Sequence, residues 1–267
     1  MRKKIICVCA MLAVVEAAAC TNGGNSDIGT GAEAAVEQEE EDRTEGYASR
    51  LVTLGEYKGL SYRDVSGREP TDEEIEEEME AILEWFDGGE LTDAFVQENL
   101  DFDSVEAFRE DTRINLKDVY AQNAWSQAAM ELYRTVVASS SFEMDSSDVE
   151  EISEEYREVY SQEAEAAGME FSEYLTQVLG MTEEEFDEAA KEIVQVSLVA
   201  EAIVEEEKLD TAAAYEQEAQ QLAEENGFES VGEMEEMSGT DGTLREEIIY
   251  RLAADFMMQH GNPRPGL

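Results

Sequence analysis

Residues 182–204 read TEEEFDEAAKEIVQVSLVAEAIV, and the fold class follows from this stretch. It opens with Thr182-Glu-Glu-Glu185, a capping box: the threonine side chain accepts from the third helical amide while the glutamate reaches back to the cap. Behind it Phe186, Ala189, Ala190, Ile193, Val194, Val196, Leu198, Val199, Ile203 and Val204 are apolar at spacings that cover more than one helical face. A helix that is apolar on several sides has to be surrounded. The spacing therefore predicts a buried spine with other helices packed around it.

Moving outward, the same punctuation recurs. Pro70 precedes Thr71-Asp-Glu-Glu74, a second capping box, and Ile75, Met79, Ile82, Leu83 and Phe86 follow at helical spacing, which predicts an amphipathic helix stopping at Gly88-Gly89. Asp103-Ser-Val-Glu106 opens a run in which Val105, Phe108, Ile114, Leu116, Val119, Tyr120, Trp125, Ala128, Ala129, Leu132, Tyr133, Val136 and Val137 trace one broad apolar face. That helix should reach about Ala138, far beyond the usual length of about a dozen residues. Ser147-Asp-Val-Glu150 and Asp210 mark two further starts, and helices from about Asp210 to Glu225 and from Leu244 to His260 should close around the spine.

Only Leu51–Leu60, short apolar positions interleaved with polar ones and two glycines, suits an extended strand-like segment. With just three prolines and an interior rich in strong helix formers, the expected class is mainly α: a multi-helical body with extended helical arms. No fixed-period repeat points to a solenoid.

The N-terminus reads as an address. Arg2, Lys3 and Lys4 precede the apolar run Ile5–Val15, which is too short to span a bilayer, and Ala17, Ala18 and Ala19 precede Cys20. This layout predicts a signal peptide over residues 1–19. The small-residue triplet followed by cysteine resembles a lipobox, which would make Cys20 the lipidated first residue of a bacterial lipoprotein. Glu16 interrupts the apolar run and Ala17 stands where leucine is usual, so plain cleavage after Ala19, giving a secreted protein, stays open beside lipidation. Cys7 and Cys9 lie in the segment to be removed, which leaves no pair for a disulfide in the mature chain. Residues 20–48 carry Gly, Ser, Asn, Ala and the acidic run Glu37, Glu39, Glu40, Glu41, Asp42, the composition of a disordered, self-repelling tether. Residues 49–267 form the folded domain, with 49–89 its linker segment and first helix.

Charge and composition exclude several function classes. With 66 acidic against 18 basic residues the formal net charge is −48, so phosphate backbones would be repelled and neither nucleic acid nor the ribosome is an expected partner. Solubility is the plainer reading of the same number. The one histidine, His260, lies in the tail beside Gly261, Asn262 and Pro263, which leaves no base for a nucleophile and no second imidazole for zinc. We find no EF-hand pattern and no phosphate-binding glycine loop, and Asp241-Gly242 reads as a turn. No catalytic centre, cofactor or metal is expected.

Two ordered sets of motifs carry a family resemblance. The first is Val52-Thr-Leu-Gly-Glu-Tyr-Lys-Gly-Leu60 followed by the helix start at Thr71. The second comprises Glu90-Leu-Thr-Asp-Ala-Phe95, Phe102-Asp-Ser-Val-Glu106, the Gly168–Leu179 stretch with Tyr174-Leu175, Gly180-Met-Thr-Glu-Glu-Glu-Phe186 and Glu205-Glu-Glu-Lys-Leu209. Together they resemble the C-terminal, substrate-holding domain of the chaperone trigger factor. In that family an FKBP-type prolyl isomerase domain of about a hundred residues separates the two sets. Here only Trp85, Phe86, Asp87, Gly88 and Gly89 intervene, and the ribosome-docking Gly-Phe-Arg-x-Gly signature is absent.

The resemblance implies helical arms around a body, forming a cradle whose patchy apolar lining holds unfolded chains. Its expected residues here are Phe142, Met144, Met169, Phe171, Tyr174, Leu179 and Met181, clustered near helix ends and including three adaptable methionines. Packing of helix on helix is the other account of the same residues. The implied function is an ATP-independent extracytoplasmic holdase for unfolded or newly exported polypeptides, held at the cell membrane through the lipid on Cys20. A second copy of the chain is a further partner in view. A scaffold lipoprotein that reuses the fold is the alternative, and prolyl isomerisation is the weaker one. Replacing Cys20 with Ala should release the protein from the membrane fraction and abolish lipid labelling; unchanged membrane association on fractionation would remove the lipid anchor from this reading.

Overall fold

A computed structural model describes residues 48–86, 89–144, 146–238 and 243–264. The signal peptide, Cys20, the tether up to residue 47, Gly88 and the turn at Asp241-Gly242 lie outside the described residues. In chain order the elements are α1 (Ala48–Leu51), β1 (Val52–Thr53), β2 (Ser61–Arg63), α2 (Asp72–Glu84), α3 (Asp93–Asn99) and α4 (Val105–Ser139). They continue with β3 (Ser141–Phe142), α5 (Ser146–Ala167), α6 (Phe171–Tyr174), a π-helical turn (Leu175–Leu179), α7 (Glu183–Glu207), α8 (Ala212–Glu225), α9 (Val231–Ser238), α10 (Thr243–Gln259) and β4 (Asn262–Arg264). The class is mainly α, as the helical periodicity requires.

The described residues form two compact units. One holds the chain through Tyr57 together with Tyr133–Gln259; the other holds Lys58–Leu132 and the residues from His260 onward. In the first unit α7 is the spine. Phe186, Ala190, Val196, Leu198, Val199, Ala200, Ala202, Ile203 and Val204 are buried along it, and α10, α5 and α1 pack against it. Ser49 on α1 ties to the Glu205 carboxylate through both its amide and its hydroxyl. Gly55 follows β1 where a Cβ would collide with the Ser139 side chain and backbone, so the close approach there requires glycine.

The last turns of α4 enter this unit through Tyr133. That fully buried ring stacks on Tyr250 of α10 at 4.6 Å, and its hydroxyl donates to the Tyr250 carbonyl at 2.7 Å. Beside it α8, α9 and α10 share a small core of Ala219, Leu222, Ala223, Phe228, Met234 and Ile248. One buried cation crosses this packing: Arg251 donates to both Glu225 oxygens at 2.9 Å and lies 3.4 Å from buried Glu218. Burial raises the carboxyl pKa of Glu218 and of half-buried Glu247, because removing a charge from water disfavours the ionised form.

In the second unit Ile75 and Met79 of α2, Val96 of α3 and Phe108 of α4 form the buried core. Two-stranded ladders add little: β1 pairs antiparallel with β3 in the first unit, and β2 pairs parallel with β4 in the second.

Both expected capping boxes are present, at Thr71/Glu74 and Thr182/Glu185. Other expectations need correction. The cap of α4 is Ser104, whose hydroxyl accepts from the Ala107 amide; Asp103 instead gives its carbonyl to Gln97. The cap of α8 is Thr211 and not Asp210, because the Thr211 hydroxyl is the group within reach of the Ala214 amide. Helix α5 begins at Ser146, one residue before Ser147, and α2 ends at Glu84, short of the glycine pair, where Phe86 turns edge-on to Phe95. The strand-like reading of Leu51–Leu60 holds only for Val52–Thr53; Leu51 closes a helix, and β2 forms just beyond because the chain's end returns to pair with it. His260 is exposed, but its carbonyl accepts from Gly59, so this tail is pinned. On α4, Ile114 and Val119 of the broad apolar face are 46% and 48% exposed.

A glutamate whose folded pKa is raised stabilises the fold while protonated, and that contribution is lost as pH rises through the folded value. Glu247→Gln should therefore raise the melting temperature by roughly 2–4 °C at pH 8, about 1 kcal/mol, and leave it unchanged near pH 4. Thermal denaturation followed by circular dichroism at the two pH values checks this.

Candidate functional site

Helix α5 builds two neighbouring surfaces from one stretch of sequence. Facing β3 and α7 it presents Val149, Glu150, Ser153 and Glu154; together with Phe142, Met144, Asp187, Lys191 and Gln195 these line an open groove of about 810 Å³. Further along, Tyr156 and Tyr160 turn toward α6, the π-turn and α7. Both surfaces lie along one stripe of the helix, since residues seven apart, such as Val149 and Tyr156 or Ser153 and Tyr160, return to nearly the same face.

The aromatic surface is tightly organised. Tyr160, Leu175 and Phe186 are buried at its centre, with Tyr156, Phe171, Tyr174, Leu179 and Met181 partly buried around them. Phe186 meets Tyr160 and Phe171 edge-on, at ring separations of 5.9 and 5.5 Å, the geometry that aromatic quadrupoles favour. Arg157 lies over both phenylalanine rings, 4.9 Å from Phe171 and 5.5 Å from Phe186, while its guanidinium pairs with Glu183 at 3.2 Å and Asp187 at 3.0 Å. One cation thus joins α5 to the first turn of α7 and roofs the aromatic cluster. Ser153 adds a hydrogen bond to the same Asp187 carboxylate at 2.8 Å. Tyr174 donates to Glu163 at 2.8 Å, and its hydroxyl pKa is pushed up to about 12, first by burial and then by that carboxylate.

The π-turn ends at Gly180, whose left-handed φ of 68° lets the Met181 amide return to the Leu175 carbonyl. A π-turn carries one residue more than an α-turn needs, and such insertions re-aim side chains. Here Leu175 is fully buried while Val178, three residues on, stands 50% exposed beside half-buried Leu179. Val159 of α5 is exposed as well.

Of the seven residues singled out in the sequence, the structure brings Phe142 and Met144 together at the groove and Phe171, Tyr174, Leu179 and Met181 together around the aromatic cluster. Met169 joins neither set; its amide closes the end of α5 on the Ala164 carbonyl. All seven are half-buried. Sequence reasoning missed Val159, Val178 and, in the other unit, Trp85, which is 81% exposed at the end of α2. A tryptophan beside a glycine pair, off the helical repeat of Ile75, Met79 and Ile82, was the signal available for it. Chemically, these surfaces offer apolar contact, aromatic faces and carboxylates. Among the described residues, no group of His, Cys, Asp or Glu has the arrangement of a metal site, and no helix is long and apolar enough to cross a membrane.

Comparison with known families identifies residues 104–259 with the C-terminus of the bacterial trigger factor protein. The matched stretch runs from the cap of α4 to the end of α10 and contains both surfaces. No curated protein matches the chain.

Because Val159 and Val178 are exposed, replacing both with Ser should leave the melting temperature within about 1 °C. The same change should lower binding of a hydrophobic dye such as bis-ANS by up to roughly a third, the pair being two of the six exposed large apolar side chains among the described residues. A cooperative loss of stability would show instead that the pair belongs to the packing.

Proposed function

We propose, for a chain that belongs to the bacterial trigger factor C-terminal family, that it is an ATP-independent holdase acting outside the cytoplasm on unfolded or newly exported polypeptides. The observation that carries this reading is the groove: Phe142 and Met144, half-buried, border an open space of about 810 Å³ where a core would be filled. Apolar groups kept at a wet edge gain free energy when a client's side chains cover them, about 25 cal/mol per Å² of apolar area removed from water. Methionine suits such a surface because its flexible thioether adapts to clients of different shape. Release needs no hydrolysis, since shallow contacts of this kind dissociate readily once the client buries its own apolar surface.

Localisation in this reading follows from the signal peptide and Cys20: anchored to the outer face of the cell membrane through lipid, or secreted if cleavage falls after Ala19. The acidic surface keeps the loaded complex dispersed. The proposed activity is binding alone, without enzymatic turnover.

Stoichiometric purified protein should suppress light scattering by a thermally denatured client enzyme, and Phe142→Ser/Met144→Ser should lose at least roughly half of that effect while keeping its melting temperature. No suppression of any client would refute the holdase reading. Capture of one defined folded partner, with unfolded chains left free, would establish the scaffold reading in its place.

A further inference from the structure

The wall of the groove that carries Phe142 and Met144 is the edge of a sheet. Strand β3 pairs antiparallel with β1, Val52 opposite Phe142 and Thr53 opposite Ser141, and the ladder continues through the Glu143 amide to the Leu51 carbonyl at 2.7 Å. In an antiparallel ladder alternate residues turn their backbone groups toward the partner and away from it. Ser141 and Glu143 face β1, so the amide and carbonyl of Phe142 point to the opposite edge. Among the described residues β3 pairs with β1 alone. The side chains of Phe142 and Met144, two residues apart, share one face and line the groove.

Resting on the holdase reading, we infer that the client is held by strand addition: an extended stretch of polypeptide pairs with the outer edge of β3 and lays alternate side chains into the groove between α5 and α7. Backbone hydrogen bonds to the amide and carbonyl of Phe142 supply sequence-independent affinity, which suits a binder of many clients. Side-chain preference comes from the rim. Glu150 and Glu154 are exposed there, whereas Asp187 is already held by Ser153 and Arg157. On a chain of net charge −48 the complementary occupant is an extended segment alternating apolar and cationic side chains.

The test uses the full chain and a fluorescein-labelled peptide of alternating valine and lysine, with a second peptide of the same sequence methylated at every backbone nitrogen. Strand addition requires the parent peptide to bind and the methylated one to bind roughly tenfold more weakly or worse, since two or more hydrogen bonds are lost. It also requires the Phe142 amide to gain protection from hydrogen exchange in the complex. Glu150→Lys/Glu154→Lys, both at exposed positions, should weaken the parent peptide by a similar factor. Equal affinity for the two peptides, unchanged exchange at Phe142, or failure of the parent peptide to bind would each overturn strand addition. Suppression of client aggregation is read separately, so a holdase that grips through side chains alone is distinguished from a protein that holds no client.

Discussion

A 25-residue helix that is apolar on several faces cannot stand in water, and the first unit is arranged around that constraint. Helix α7 buries Val199, Ile203 and Val204 almost completely, so α10, α5 and α1 each cover one side of it. This enclosure fixes where the functional surfaces can lie. The half of α7 toward its C-terminus carries most of its buried residues, while its first turns, beginning with Phe186 and Asp187, are met by α5, the short α6 segment and the π-turn. The groove and the aromatic cluster sit at that less covered end, with Arg157 holding the two helices together between them.

An excess of carboxylates pervades the molecule and sets how its interior is built. Repulsion at −48 opposes compaction, and several of the described basic residues form surface pairs worth little individually, such as Arg113 with Glu110 or Arg134 with Glu192. Arg251 differs. Buried between α8 and α10 and shared by Glu218 and Glu225, it cannot be removed without stranding the buried Glu218 carboxylate. Burial, with neighbouring carboxylates adding to it, leaves Glu218 and Glu247 easier to protonate than ordinary glutamates, so these two groups favour the fold more in mild acid than at neutral pH.

Local chemistry was the legible part of the sequence. The capping boxes at Thr71 and Thr182 are closed by atoms three residues apart, and the helical repeats of α2, α4, α7, α8 and α10 are written in neighbouring positions, so both can be read without tertiary knowledge. Misreadings occurred where two polar residues compete for one cap, as at Asp103/Ser104 and Asp210/Thr211, because the winner depends on backbone angles that composition does not encode. Helix α9 and the π-turn were not anticipated; the first is short and carries a glycine, and the second differs from an α-turn by one residue. For the site, spacing identified the apolar residues at the ends of α5 and β3 but not their exposure. Exposure is decided by partners distant in sequence: Phe142 takes its place from Val52, ninety positions away.

The parallel ladder between Ser61–Arg63 and Asn262–Arg264 joins points about two hundred residues apart, close to the full span of the folded chain. A clasp of this kind cannot form until both of its halves have emerged from a ribosome or a translocation channel, so Ser61–Arg63 precedes its partner by about two hundred residues of synthesis. The second unit must therefore wait, its β2 edge open, until Asn262–Arg264 are available to pair. A product truncated before Asn262 keeps the β2 edge without the partner strand that latches it.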